Sequence, residues 1–446
     1  MGHWPGPWRW QPPVMRGRVG LALLFRRCLG VSGYDERALP PGQGRILGDM
    51  QRLQSMVGPL RIVHALEKNR LRTGSVVQMM EAARGLALRG HRVSVVSRPG
   101  GDLAPVCASA GVELVELPLR HEVDLSSARQ LRSLLRQIEP HVVHVHKGRP
   151  HSVALLAATG LGRLPAVVVN RGVSFRLDMW NRWKYRHPRV GAVVCVAEAI
   201  RRVVISSGGL RPEKVHTIHA GTDTDRFDPA RVDRQLVRRE LGLARDTPLV
   251  GQVSVRDWKG WRELLAAFAG VSAAHPRARL LLVGCEPEPE RAKVLAAAQE
   301  HGIGEHVKTL GYRRDMPEVL SACDIVVDAS WAGTGITGTI REAMAMARAV
   351  LATDCAGNRE LVEPDTSGLL VPTRDVDALA TGLDRLLADT AYRARLGAAA
   401  RNRVTASFST SVRLDRLETL YQELVTGRPR TAPGRQAGAA ADGSST

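Results

Sequence analysis

The stretch WAGTGITGTIREAMAMARAVLATDCAGNRELVEPDTSGLLVP, Trp331 to Pro372, governs the reading of the whole chain. A glycine- and threonine-rich loop runs into a helical segment, then into the short apolar run VLAT, then into a second polar loop. That is the loop–helix–strand grammar of an α/β protein. A helix N-terminus carries unpaired backbone N–H groups and about half a positive charge, which suits it to hold a diphosphate. Gly335 and Gly338 allow a bulky ligand close to the backbone, with Thr334, Thr337 and Thr339 interleaved. Glu342 falls near the start of the helix, where a carboxylate can accept hydrogen bonds from ribose hydroxyls. These features predict a nucleotide-sugar site.

Outward from this stretch the same grammar repeats in both directions. From Arg61 onward, RIVHAL, HRVSVV, VELVEL, HVVHVH, AVVVN, AVVCV and VHTIH read as buried strands, most of them separated by amphipathic segments. A charged helical linker is expected over residues 230–245. Alternation then restarts with PLVGQVS, ARLLLVG, VKTLG, DIVVDAS and AVLATD. Two Rossmann-like, doubly wound parallel sheets in tandem are expected, with the cleft between them as the default site. The expected organisation is an extension over 1–58, a first domain over 59–228, a second over 229–408, a C-terminal helix over 409–427 packing back across the domains, and a tail over 428–446. The extension holds Trp4, Trp8 and Trp10 without helical or strand period, and Met50 and Met56 are candidate translation starts. Extension and tail both read as disordered.

Composition excludes several classes. No run of eighteen apolar residues occurs, so no transmembrane helix is expected. The six cysteines form no CxxC pair and no His-partnered metal spacing, which points to a reducing compartment without structural zinc. The net charge of +19 favours anionic partners. The basic residues read as spread along helices without aromatic interleaving, which argues against nucleic acid and leaves an anionic acceptor or peripheral contact with an anionic membrane.

Six motifs in order give the segment from Arg61 to Gly427 a resemblance to the retaining glycosyltransferases of family 4, of GT-B architecture. These are TGS at Thr73–Ser75, PHVVHVHKGRPHS, VHTIHAGTDTDRFDP, DWKG at Asp257–Gly260, REAMAMARAVLATDCAGNRELV and GLLVP. The resemblance implies two Rossmann-like domains facing across a cleft, and a nucleotide-sugar donor held by the second. It implies that Lys259 grips the donor diphosphate, with an arginine normally five residues before it. Here that position is Ser254, and Arg256 is the candidate substitute. Glu342 matches the second acid of the family's Glu-x7-Glu pair, whereas Thr334 stands in place of the first. Arg171 occupies the position of a family histidine that approaches the transferred sugar. Thr73, Gly74 and Ser75 are candidates for a diphosphate or acceptor loop, with His146 and Lys147 facing the acceptor. Asn358 and Glu360 are expected to line the cleft, and His144 to be a core histidine.

Catalysis without a divalent metal is what the resemblance implies, so no metal and no cofactor beyond the nucleotide-sugar co-substrate is expected. The expected activity is retaining transfer to a cell-envelope glycan, lipopolysaccharide or glycolipid acceptor, in the cytoplasm or at the inner face of the cytoplasmic membrane. The competing readings are a GT-B sugar-nucleotide epimerase and a non-catalytic nucleotide-sugar binder, the latter motivated by Thr334 and Arg171. Donor sugar, base, acceptor and oligomeric state are not written in the sequence.

Overall fold

The computed structural model describes residues 58–161, 165–332, 335–355 and 357–427. The expected N-terminal extension, apart from Gly58, lies outside the described residues, as do the tail and Thr334.

In the first half, strands β1 (Arg61–Leu66), β2 (Arg92–Ser97), β3 (Glu113–Glu116), β4 (Val142–His146), β5 (Ala166–Arg171), β6 (Val190–Cys195) and β7 (Val215–Thr217) form one parallel sheet in the order β3-β2-β1-β4-β5-β6-β7. Between them run helices α1 (Gly74–Leu88), α2 (Ala104–Ser109), α3 (Leu125–Ile138), α4 (Gly148–Ala158), α5 (Met179–Arg186) and α6 (Glu198–Gly208). The central strands are buried on both faces, which is why β1 and β4 are apolar apart from their buried histidines, His64, His144 and His146. β3 is an edge strand, and both its glutamates are exposed. Its expected burial is therefore corrected: an edge strand has one unpaired side and needs no continuous apolar run.

In the second half, β8 (Leu249–Val253), β9 (Arg279–Val283), β10 (Val307–Leu310), β11 (Ile325–Asp328), β12 (Ala349–Thr353) and β13 (Leu369–Val371) form a six-stranded parallel sheet in the order β10-β9-β8-β11-β12-β13. β13 is the GLLVP motif, which the sequence did not mark as a strand. The helices are α7 (Gln235–Glu240), α8 (Trp261–Ser272), α9 (Glu288–Glu300), α10 (Met316–Ala322), α11 (Gly338–Ala345), α12 (Asn358–Leu361), α13 (Val376–Ala388), α14 (Thr390–Ser407) and α15 (Thr410–Thr426). The expected helical linker is reduced to a 3-10 turn, Pro229–Arg231, and the six-residue α7.

Both sheets reverse strand order at one point, between β1 and β4 and between β8 and β11. At such a point the neighbouring crossovers leave on opposite faces and open a crevice beyond the carboxyl ends of the strands. The chain passes between halves twice, and the two passages are stitched together. Thr222 N donates to Phe408 O at 2.9 Å, and Thr410 N to Thr222 O at 2.9 Å. α15 then packs on α1 of the first half. Leu414 lies against Gly85, Arg413 Nη1 donates to Gln78 O at 2.7 Å, and the Tyr421 hydroxyl meets His144 Nδ1.

Candidate functional site

The donor side is built at the switch point of the second sheet. β8 is followed, three residues on, by the turn Asp257–Lys259, and β11 ends in Asp328. Lys259 Nζ lies 3.0 Å from Asp328 Oδ1 in a pair almost closed to water. Gly260 makes this approach possible. Its φ is +66°, and a Cβ there would stand 2.0 Å from Ala329 O, so only glycine fits.

Asp328 organises more than the lysine. It accepts from Ser330 Oγ at 2.8 Å, from Thr337 Oγ1 at 2.9 Å and from Asn358 Nδ2 at 3.3 Å. Asn358 in turn accepts from Thr337 N at 3.3 Å and donates to Thr353 O at 3.1 Å. Asn358 is fully buried. Its expected place on the cleft wall is corrected: it lies beneath the loop and fixes its shape.

One consequence concerns α11. Thr337 is its N-cap residue, yet its hydroxyl is turned to Asp328 and does not cap the helix. The first N–H groups, at Gly338, Thr339 and Ile340, have no intrahelical acceptor. The N-terminus is left open to an anion. Gly335, at φ +145°, lies 3.0 Å by a virtual Cβ from Val196 Cγ2 of the first half, so this loop threads between the halves.

Glu342, one turn into α11, borders a cavity of about 1290 Å³. The cavity's walls come from both halves: Arg72, Asp102 and Val106 from the first, and Ser254, Arg256, Gly284, Tyr312 and Arg314 from the second. Burial raises the Glu342 carboxyl to about 7, with Glu81 adding to this and Arg341 and Arg226 opposing it. Arg256 is exposed and lines the cavity, with no side-chain hydrogen bond or ion pair among the described residues.

The other sequence candidates fall as follows. Thr73 is the N-cap residue of α1, with its hydroxyl buried and unpaired. Gly74 is exposed and Ser75 half-buried beside it. Lys147 stands at the end of β4 with φ +76°. His146 does not face outward. It is buried, with Nε2 3.1 Å from His64 Nδ1. Burial holds His146 and His144 well below the usual imidazole range and brings His64 to about 3. His146 is thus a neutral core group like His144, because strand alternation puts both on the face covered by α15.

Arg171 is likewise corrected from a catalytic cation to a loop brace. Its Nε donates to Val173 O at 3.0 Å and its Nη2 to Phe175 O at 2.5 Å. Glu360 accepts from Glu198 N at 2.7 Å and Ala199 N at 2.9 Å, and from His219 Nε2 at 2.9 Å. Burial pushes its carboxyl up, but these donors outweigh it and hold it below the usual range. It caps α6 across the halves instead of lining the cleft.

Two structural features escaped the sequence reading. Asp328 ends a run read only as a buried strand, and an acid immediately before the donor loop was the available signal. The segment Phe175–Arg186 does interleave aromatic and basic residues, against the expectation. Phe175, Met179, Trp180 and Trp183 are 71%, 82%, 86% and 64% exposed. Arg176, Arg182 and Arg186 are exposed among them.

The sequence profile described as "Glycosyltransferase Family 4" matches residues 72–226, and that described as "Glycosyl transferases group 1" matches residues 246–389. A GDP-mannose-dependent monoacylated alpha-(1-6)-phosphatidylinositol monomannoside mannosyltransferase of Corynebacterium glutamicum is 31% identical over 315 residues, covering 67% of this chain and 80% of that protein. A UDP-Gal:alpha-D-GlcNAc-diphosphoundecaprenol alpha-1,3-galactosyltransferase of Escherichia coli is 24% identical over 319 residues, covering 68% and 81%. Among solved structures, a glycosyltransferase of Rickettsia africae superposes with a TM-score of 0.76 at 19% identity, covering 83% of this chain and 100% of the other. The fold is the GT-B fold.

Proposed function

The chain belongs to glycosyltransferase family 4, and we propose that it moves a sugar, with retention, from a nucleotide-diphosphate donor to a cell-envelope glycan, lipopolysaccharide or glycolipid acceptor. One observation carries the donor half of this reading. The uncapped N-terminus of α11 and the Lys259–Asp328 pair meet through Thr337 at the switch point of the second sheet, and Glu342, one turn along α11, and Arg256 border the interdomain cavity. The helix N-terminus takes the diphosphate, Glu342 accepts from ribose hydroxyls, and Lys259 and Arg256 offset the charge that grows on the leaving diphosphate. Fixed cations aimed at developing charge are the largest catalytic contribution in such transfers. Asp328 is a positioning residue: it holds Lys259 and the loop in one frame. With these cations in place the reaction needs no divalent metal. The leaving phosphate serves as the base in a front-face attack.

The acceptor half rests on two supports. The Corynebacterium and Escherichia relatives are named for acceptors that combine lipid, phosphate and sugar. The exposed aromatic and basic segment around α5 has the composition of a membrane-surface anchor, with indole rings for the headgroup level and arginines for anionic lipid. No helix among the described residues is long and apolar enough to cross a membrane. On this reading, contact with the inner face of the cytoplasmic membrane is made by this surface.

The test is thermal denaturation of wild type and Glu342→Ala with UDP, GDP, CMP and their sugar conjugates, followed by transfer assays with the nucleotide that binds. A ligand at a hundred times its Kd stabilises by about 2.7 kcal/mol. One nucleotide class shifting wild type but not the variant is the expected result. No shift from any nucleotide refutes the donor assignment.

A further inference from the structure

The first sheet gathers three histidines under α15. His144 and His146 alternate on β4, so their side chains leave the same face, and His64 of β1 is paired in register with His144. The rings form a compact triangle. Their centroids are 4.6 Å apart between His144 and His146, 5.2 Å between His64 and His144, and 5.4 Å between His64 and His146. All three are buried, and none is in the wall of the interdomain cavity.

A polar ring in a core needs partners for its nitrogens. Two of these rings have one nitrogen engaged and the other bare. His144 Nδ1 meets the Tyr421 hydroxyl at 2.5 Å, while its Nε2 is buried without a hydrogen-bond partner. His64 Nδ1 lies 3.1 Å from His146 Nε2, while its own Nε2 is buried without a partner. One nitrogen held by an outer hydrogen bond and the other presented bare is the condition of a metal-ligating histidine, whose outer partner fixes the tautomer and aims the ring. An apolar side chain in either place would leave no such orphan, so packing alone does not account for these residues.

The spacing agrees with that reading. One nitrogen of each ring can be chosen so that all three lie within 4.8 Å of one another. Nitrogens bound to one tetrahedral ion at about 2.0–2.1 Å stand about 3.3 Å apart, so modest side-chain rotations close the site. The charges around it select the ion. Arg413 of α15 acts on all three rings, and Glu81 of α1 offsets that guanidinium. The cluster itself is made of imidazoles, without a carboxylate. Such a set disfavours the oxygen-seeking Mg²⁺ and Ca²⁺ and suits an imidazole-seeking ion such as zinc.

We propose that His64, His144 and His146 form a structural site for a transition-metal ion of the zinc class, which ties β1 to β4 beneath α15. Each ring binds as a neutral imidazole, with its proton on the nitrogen turned away from the ion. Tyr421 is the outer partner of His144, so the ion also helps to hold α15, the helix that brings the second crossing back onto the first half. The site lies under that helix, so the ion enters before α15 docks. This role is independent of the sugar-transfer reading and takes no part in the transfer. The expectation of no structural zinc rests on the cysteines. A set whose members His64 and His146 are 82 residues apart leaves no contiguous spacing to read.

The test uses the full chain without an affinity tag, expressed separately in zinc- and cobalt-supplemented medium so that metal is present as the chain folds. Metal content after gel filtration, visible absorption of the cobalt form, and melting curves with and without a chelator are recorded. The expected result is a single ion per chain, the d–d bands of a tetrahedral nitrogen site, and a Tm that falls when the chelator is added. His64→Gln and His144→Gln should be isolated free of metal, whereas His301→Gln, on the surface, should retain it. Tyr421→Phe keeps all three ligands and removes only the outer partner, which should weaken the hold on the ion about tenfold or more in chelator competition. If the ligand variants do not fold, Tyr421→Phe decides, and a hold equal to that of wild type overturns the assignment. Wild type isolated free of metal from both media overturns it as well. So does metal retained by folded His64→Gln and His144→Gln, which would mean an adventitious ion only, bound by surface histidines.

Discussion

Glu342→Gln is expected to make the ligand-free protein more stable at neutral and alkaline pH while weakening its hold on the nucleotide. The Glu342 carboxyl is raised from 4.5 to about 7, first by burial and then by Glu81. The folded state therefore keeps its proton where the unfolded chain has lost it. Stability from this group is fully present below pH 4.5 and is lost as pH rises through about 7. At about 1.4 kcal/mol per tenfold change in acidity, the full difference amounts to about 3 kcal/mol. Water in the bordering cavity screens part of it, which leaves an expected gain of about 1–2 kcal/mol for the neutral glutamine. In a chain of this size that corresponds to a rise of about 1–3 °C in Tm. The assay is calorimetry of wild type and variant across pH 5 to 8, without ligand and then with the nucleotide that binds. The two proteins should melt close together at pH 5 and separate with rising pH, the variant above. With nucleotide the order should reverse, because glutamine is a weaker acceptor for ribose hydroxyls than a carboxylate. A variant that is less stable at pH 8, or a gap that does not change with pH, would refute the claim that this carboxylate is held in the cleft against its own solvation.

Asp328→Asn removes the counter-charge of a nearly buried Lys259, and a loss of about 3–5 kcal/mol is expected on chemical denaturation. Adding Lys259→Met should recover part of it, and additive losses would mean that the two side chains do not act as a pair. Gly260→Ala forces a Cβ against Ala329 O at a positive φ, so a loss of about 1–3 kcal/mol with a weakened nucleotide response is expected; unchanged melting would contradict the close approach. Trp180→Ala/Trp183→Ala should leave Tm within about 1 °C, since both rings are exposed, yet lower flotation with anionic vesicles. Equal flotation of wild type and variant would remove α5 from the membrane surface.

The fold was legible because its signal is redundant. Each central strand is an apolar run bounded by turn residues, and β1, β4, β8 and β12 would be found from any one pattern rule. Edge strands carry less of that signal. β3 bears two exposed glutamates and β13 has only three residues, so one was expected to be buried and the other was not marked as a strand. At the site, the glycine-rich loop and Glu342 were placed at a loop and the start of a helix from local sequence, and Lys259 in its turn from the family resemblance. Side-chain direction was not. His146 ends its strand, yet alternation puts it on the same face as His144, whose ring meets Tyr421 of α15, 277 residues later in sequence. Arg171 curls back onto carbonyls only two and four residues ahead, a contact that no strand-level rule predicts. Asp328 was missed because its partners, at 259, 337 and 358, meet only after the second sheet is assembled.

Net charge is the clearest case of a property that sequence states but cannot interpret. A value of +19 says that anions are attracted and not where. The structure separates cations that are already answered from those that are not. Lys259 is held by Asp328, Lys184 by Glu122, and Arg313 by Asp315 and Glu240. These pairs order loops and offer little to a ligand until something displaces the carboxylate. Lys68 and Lys147 are pressed together with only Glu67 to offset them. The two switch points thus carry opposite arrangements. In the second half the lysine is restrained by a carboxylate beside an uncapped helix, and under the proposed transfer that restraint keeps the cation in place between turnovers. In the first half the two lysines repel with a single acid to offset them. The restraint on each cation, more than the total charge, decides what it can offer an anion.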